Sequence, residues 1–196
     1  MRIYGDMNSG NCLKVKWTAD YLGLAHEWRS VDILKGETRT EEFLKLNSFG
    51  QVPVLALDDG RTLAQSNAII RYLARGSDLV PEDAFASARM DAWLFWEQYS
   101  HEPYVAVCRF HMRYLGRSAE EREDWRVERG EAALDVLEAH LAEQDWLVDD
   151  GMTLADIALL PYTRLAHEGG FDLSGRPALR RWIARAEERL DLAPVH

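Results

Sequence analysis

The 196-residue chain predicts an α/β domain followed by an all-α domain, and three observations carry that reading. Over residues 1–76, short apolar runs bounded by turn residues alternate with helical segments. A stretch rich in Gly, Ser, Pro and acid, GSDLVPED, then interrupts the pattern at 76–83. Beyond it come long helical segments with five of the seven tryptophans, a composition suited to broad helix–helix packing. The expected plan is a first domain at 1–76, a linker at 77–84 and a helical-bundle domain at 85–196.

Taken in order, residues 2–5 read as a strand, 11–22 as a helix and 26–32 (HEWRSVD) as a second strand. A short helix over 40–46 opens Thr-Glu-Glu, with acids in the first turn where the helix dipole favours them. Residues 54–57, then DDG, then 61–64 read as a hairpin turning on Asp59-Gly60, and 66–75 as a helix. One stretch pulls two ways: Leu13-Lys-Val-Lys-Trp17 alternates with period two, as a strand would. In the second half, helices are expected over 85–115, 119–140, 153–167 and 178–190. Pro103 falls inside the first of these and should kink or break it. Thr153-Leu-Ala-Asp156 has the spacing of a capping box.

Charge and cysteine usage narrow the function. Residues 1–76 carry ten Lys/Arg against nine Asp/Glu, whereas 77–196 carry thirteen against twenty-four. So acidic a surface argues against nucleic acid, whose binding rests on neutralising phosphates. The near-neutral first half is the better host for an anionic small ligand. No apolar run reaches the ~18–20 residues of a membrane span, and the start MRIYGDMNSG has no basic-then-apolar leader pattern. Two cysteines 96 positions apart do not form a disulfide framework, which points to the reducing cytoplasm.

Three short motifs carry chemistry. Ser9-Gly10-Asn11-Cys12 lies at a helix start, where Ser9 is either a plain N-cap or a hydroxyl offered to a ligand. Cys12 there is either a reactive thiol with a depressed pKa or a small buried hydrophobe. Gln51-Val52-Pro53-Val54 enters a strand. A cis Val52–Pro53 bond would turn the Val52 backbone outward to pair with an extended peptide; a trans bond would be an ordinary strand entrance. Gln65-Ser66-Asn67 opens a helix, and Ser66 either caps it or holds a carboxylate at its N-terminus. His101, Cys108 and His111 lack metal-site spacing, so no metal is expected.

The order of these pieces resembles the cytosolic glutathione transferases over essentially the whole chain, in their bacterial, serine-type or nu-like form. NSFGQVPVLALDDG with LAQSNAIIRYLA carries the likeness in the first half, and LVDDGMTLADIALLPY in the second. The resemblance implies a thioredoxin-like N-terminal domain that binds glutathione, followed by a helical domain that helps bind a small hydrophobic electrophile. It also implies that LKVKW is helical despite its alternation. Under it Ser9 and Asn11 are the catalytic pair facing the glutathione sulfur, with Tyr4 and Cys12 as competitors for that contact. Cys12, Thr38, Gln51, Val52, Pro53, Gln65 and Ser66 line the tripeptide. Val52 would pair with the cysteinyl backbone, Gln65 and Ser66 hold the γ-glutamyl end, and Gln51 lie near the glycyl end. Gln65 stands where many members carry Glu. Tyr104, Cys108 and Met112, at i, i+4 and i+8 on the long helix, either face the sulfur or are core. Conjugation is the implied reaction, with peroxide or disulfide reduction as related activities and a homodimer as the expected assembly. The rival reading is a non-catalytic scaffold or regulator of the same fold; a disulfide exchanger acting through Cys12 is a third.

Overall fold

The computed structural model describes residues 1–148 and 151–195 and divides into two compact units, 1–80 and 81–196. Asp149 and Asp150 of the LVDDGMTLADIALLPY motif lie outside the described residues, as does His196.

The first unit is a four-stranded mixed sheet with helices. β1 (Arg2–Gly5) pairs in parallel with β2 (Glu27–Ser30) and antiparallel with β3 (Val54–Ala56). β4 (Thr62–Ala64) closes the hairpin beside β3, giving the order β2-β1-β3-β4. Ile3 sits opposite Trp28 on one side and Leu55 on the other, and both Ile3 and Leu55 are fully enclosed. The parallel step from β1 to β2 needs a crossover, which α1 (Gly10–Tyr21) supplies. α1 contains all of LKVKW as helix. Leu13, Lys14, Val15 and Trp17 are all buried there, so the period-two pattern records burial around most of the helix rather than one strand face. α2 (Glu41–Leu46) starts where expected, with the Thr40 hydroxyl accepting from the Phe43 N–H at 3.2 Å. α3 (Ser66–Leu73) completes the unit.

Gly5, the last residue of β1, lies under the Trp28 ring. A Cβ there would sit 2.7 Å from Cη2 of Trp28 and 3.1 Å from Cβ of Cys12. Gly5→Ala is therefore expected to cost about 1–3 kcal/mol, read as a lower denaturant midpoint with unchanged slope.

The second unit is all helical: α4 (Ala84–Trp96), α5 (Glu102–Arg113), α6 (Asp124–Glu143), α7 (Leu154–Arg164) and α8 (Pro177–Arg189). The single helix expected over 85–115 is two, joined by a π turn at Glu97–His101. Pro103 explains the break: it has no N–H to donate and its ring crowds the carbonyl of residue 99, so the chain widens into a π turn before α5 begins. The helix expected from 119 begins instead at Asp124. Ala119–Glu121 is a separate 3₁₀ turn closed by a Ser118/Glu121 capping box. α7 is buried from Leu154 to Thr163 and forms the centre of this unit. Its Thr153/Asp156 capping box is present, and the Asp156 carboxylate also takes the Trp182 indole N–H at 2.8 Å and the Leu147 N–H at 3.1 Å.

Candidate functional site

The N-termini of α1 and α3 meet in the first unit. Ser9 is the α1 N-cap residue, in extended conformation, but its side chain does not cap. Its carbonyl accepts from the Cys12 and Leu13 N–H groups at 3.0 and 2.9 Å. Asn11, one turn along, accepts the Ser66 hydroxyl on Oδ1 at 3.0 Å, linking the two helix starts. Ser66 therefore does not cap its own helix. Gln65 occupies the N-cap position, and the Ser66 side chain, largely buried, is spent on Asn11.

Gln65 reaches that position at φ 71°, ψ 112°, a conformation L side chains seldom adopt. Such strain costs on the order of 1–3 kcal/mol and persists where the fold over-determines it. Gln65→Gly is expected to raise stability by about 0.5–1 kcal/mol, read by thermal melting.

Cys12 is fully enclosed, 0% exposed, and accepts the Asp6 N–H on Sγ at 3.4 Å. Burial pushes its thiol up to about 12 against the lowering effect of the Ser9 and Asp6 hydrogen bonds. A depressed pKa at the helix mouth is thus corrected: desolvation outweighs the helix N-terminus. As placed, the sulfur presents no surface to a ligand. Tyr4 is partly buried and packs against the Val31, Phe43 and Val54 cluster.

The Val52–Pro53 bond is cis, directly before β3. Gln51 is exposed, and its carbonyl accepts from Asn47 Nδ2 at 2.7 Å. Thr38 is buried in the Glu37–Arg39 turn, so its side chain is enclosed rather than offered outward. Segments 38–39 and 50–51 are neighbours, because Gly50 (φ 61°) lies against them. A Cβ on Gly50 would meet Arg39 Nη1 at 2.5 Å and the Thr38 carbonyl at 3.1 Å. Arg39, an exposed residue that nothing local in the sequence singles out, is brought against Gly50 by this approach.

In the second unit the Tyr104–Cys108–Met112 stripe turns toward α6. The Tyr104 hydroxyl accepts from Arg129 Nη1 at 2.9 Å, and its ring stands edge-on to Trp125 at 6.2 Å. Cys108 is fully enclosed, its thiol pushed up by burial, and Met112 is half-buried. The more open face of α5, one position over, carries Val107 and Phe110, with Phe110 stacked on Tyr114 at 5.0 Å. Helical spacing fits both faces, with Val107, Phe110 and Tyr114 at i, i+3 and i+7, and the sequence alone does not separate them. Among the described residues no three His, Cys, Asp or Glu side chains converge as a metal set, and no helix is long and apolar enough to cross a membrane.

Residues 8–75 match the family described as the glutathione S-transferase N-terminal domain, and residues 94–189 match the C-terminal domain of the same family. The chain is 34% identical to glutathione S-transferase 3 of Zea mays, over 93% of this chain and 86% of that protein. A crystal structure of a glutathione S-transferase from Pseudomonas fluorescens superposes with a TM-score of 0.94 at 46% identity, covering 98% and 97% of the two chains. A second, from Xanthobacter autotrophicus, gives 0.91 at 43% identity, covering 100% and 95%.

Proposed function

The chain belongs to the glutathione S-transferase family, and on that premise we propose that it ionises the glutathione thiol at Ser9 for conjugation to small electrophiles. The observation that carries the reading is the Ser66–Asn11 hydrogen bond. It gathers the α1 and α3 N-termini, two clusters of backbone N–H donors, beside an extended serine whose hydroxyl does not cap its helix. Glutathione, a tripeptide with two carboxylates and one thiol, suits such a site. The Ser66 end takes the γ-glutamyl group, Val52 pairs with the cysteinyl backbone, and Gln51 with Arg39 receives the glycyl carboxylate. Gln65, uncharged, offers the ligand's ammonium a weaker contact than a carboxylate would.

The thiolate is the nucleophile, and a free thiol near pKa ~8.5 is mostly protonated at neutral pH. Ionisation about two units lower needs about 2.7 kcal/mol of preferential stabilisation of the anion. One hydroxyl donating to the sulfur supplies ~1.5–3 kcal/mol and the α1 dipole ~0.3–1 kcal/mol, so Ser9 at this helix start is sufficient. Asn11 adds a second donor near the same point. The serine-type reading fits the Ser9 placement better than Tyr4, whose ring is packed in the core. Glutathione titrated calorimetrically, followed by turnover with an aryl halide, tests the function. Binding with saturable conjugation is the expected result; binding without turnover favours the scaffold reading.

The working form proposed is a cytoplasmic homodimer. α4 presents Phe85, Ala88, Ala92 and Phe95 along one face, with Phe85 74% and Phe95 77% exposed, an apolar strip that a second copy would cover. Sedimentation equilibrium is expected to give twice the chain mass of 22.5 kDa, and a monomer would refute the assembly.

A further inference from the structure

The second unit holds a cavity of about 350 Å³ between the last residue of α7, the 3₁₀ turn Ala166–Gly169 with the segment after it, one face of α8 and the tail at 194–195. Its inner wall is built from four buried side chains. Phe171 and Ile183 are apolar, and Arg164 and Glu187 form an ion pair whose side chains are only 8% and 6% exposed. Arg164 Nε lies 2.8 Å from Glu187 Oε1, so the pair adds no net charge, and Arg164 Nη2 donates to the Ala193 carbonyl at 2.6 Å, tying the tail down beside the cavity. The open end carries three exposed ionisable groups, His167, Asp172 and Arg180. Both Asp172 carboxylate oxygens are taken by Ser174, one by its N–H at 2.8 Å and the other by its hydroxyl at 2.6 Å. The Arg180 guanidinium and the His167 ring make no hydrogen bond or ion pair among the described residues.

We propose that this cavity binds a small monocarboxylate with an apolar tail, the carboxylate at Arg180 and the tail between Phe171, Ile183, Pro194 and Val195. Small-molecule sites pair mostly apolar walls with a few placed polar groups, and this cavity has that make-up. A guanidinium presents a fork of N–H donors that matches both oxygens of a carboxylate, and Arg180 has that fork unspent. His167 offers a ring N–H at the same open end. A cationic ligand finds no unspent carboxylate, since Glu187 is held by Arg164 and Asp172 by Ser174. A dicarboxylate has no second cation to meet, because the buried Arg164 charge is already balanced. The site lies wholly in the second unit and uses none of the residues assigned to glutathione, so it holds or fails independently of that assignment.

Octanoate is the probe, titrated calorimetrically into the full chain with excess glutathione present, so that the tripeptide's own site is not offered to it. The uncharged control is 1-octanol. Saturable one-to-one binding of octanoate is expected, with octanol about tenfold weaker. Arg180→Gln should weaken octanoate about tenfold and leave octanol unchanged. Ala184→Trp carries a bulky ring into the cavity from an exposed lining position and should abolish both. Arg180 is exposed and unbonded, so its variant keeps the test sound even where the tryptophan disturbs folding. Octanol binding as tightly as octanoate, or octanoate indifferent to Arg180→Gln, overturns the carboxylate assignment. No octanoate binding, or undiminished binding in a folded Ala184→Trp, overturns the site. Ionisation of glutathione at Ser9 is read separately, in Ser9→Ala, and none of these outcomes moves it.

Discussion

With Ser9 replaced by Ala, glutathione held by this protein is expected to ionise about 1–2 pH units higher than in the wild type. The affinity for glutathione should be nearly unchanged, because the proposed reading has the tripeptide's backbone and carboxylates held elsewhere, at Val52, the α3 N-terminus at Ser66 and the Gln51 end. A donor that stabilises the thiolate more than the thiol acts on the reacting form, so its loss falls on the rate rather than on binding. At pH 6.5 conjugation should slow by about ten- to a hundredfold, and the acid limb of the kcat/KM profile should move up by the same 1–2 units. The α1 dipole, left intact in the variant, retains part of the original depression. Tyr4→Phe should leave the profile in place, since that ring faces the Val31, Phe43 and Val54 cluster. The pH–rate profiles of the two variants, measured together, check both statements.

The second large effect concerns stability. Asp156 accepts the N–H groups of Leu147 and Thr153, the Thr153 hydroxyl and the Trp182 indole, all inside the second unit. Asp156→Ala strands those buried donors at once, and is expected to cost about 3–5 kcal/mol. For a chain of this length that is roughly 6–20 °C in Tm, measurable by calorimetry. The same carboxyl gives a pH signature. Burial pushes it from 3.8 up to about 6, so in that window the folded state holds a proton that the unfolded state has released. Its contribution is fully present below pH 3.8 and is lost as pH rises through 6. The stability difference between wild type and Asp156→Asn should therefore be about 1 kcal/mol more favourable to wild type at pH 5 than at pH 7. A flat difference contradicts the assignment.

Most of the architecture was legible because local signals agreed. The β1 run, the Asp59-Gly60 turn and the Thr153/Asp156 box each name an element without reference to the rest of the chain. What failed depended on three-dimensional surroundings. Periodicity could not tell LKVKW from a strand, because α1 is buried around most of its girth. Pro103 marked a break in the helix over 85–115, but that the break takes the form of a π turn at Glu97–His101 is not written in the local sequence. Ser9, Asn11, Gln65 and Ser66 stood out as polar residues at helix starts, yet that the Ser66 hydroxyl would be spent on Asn11 is a tertiary fact. Cys12 could be read as reactive only while its burial was unknown. The approach of Arg39 to Gly50 and the stacking of Phe110 on Tyr114 are likewise tertiary facts that nothing local marks.

The measurement closest to the central claim is an ultraviolet titration of the protein–glutathione complex, following thiolate absorbance across pH. The account predicts ionisation about two units below that of the free tripeptide. Glutathione that binds yet ionises at its solution pKa would contradict it, and would leave a site that holds the tripeptide without activating it.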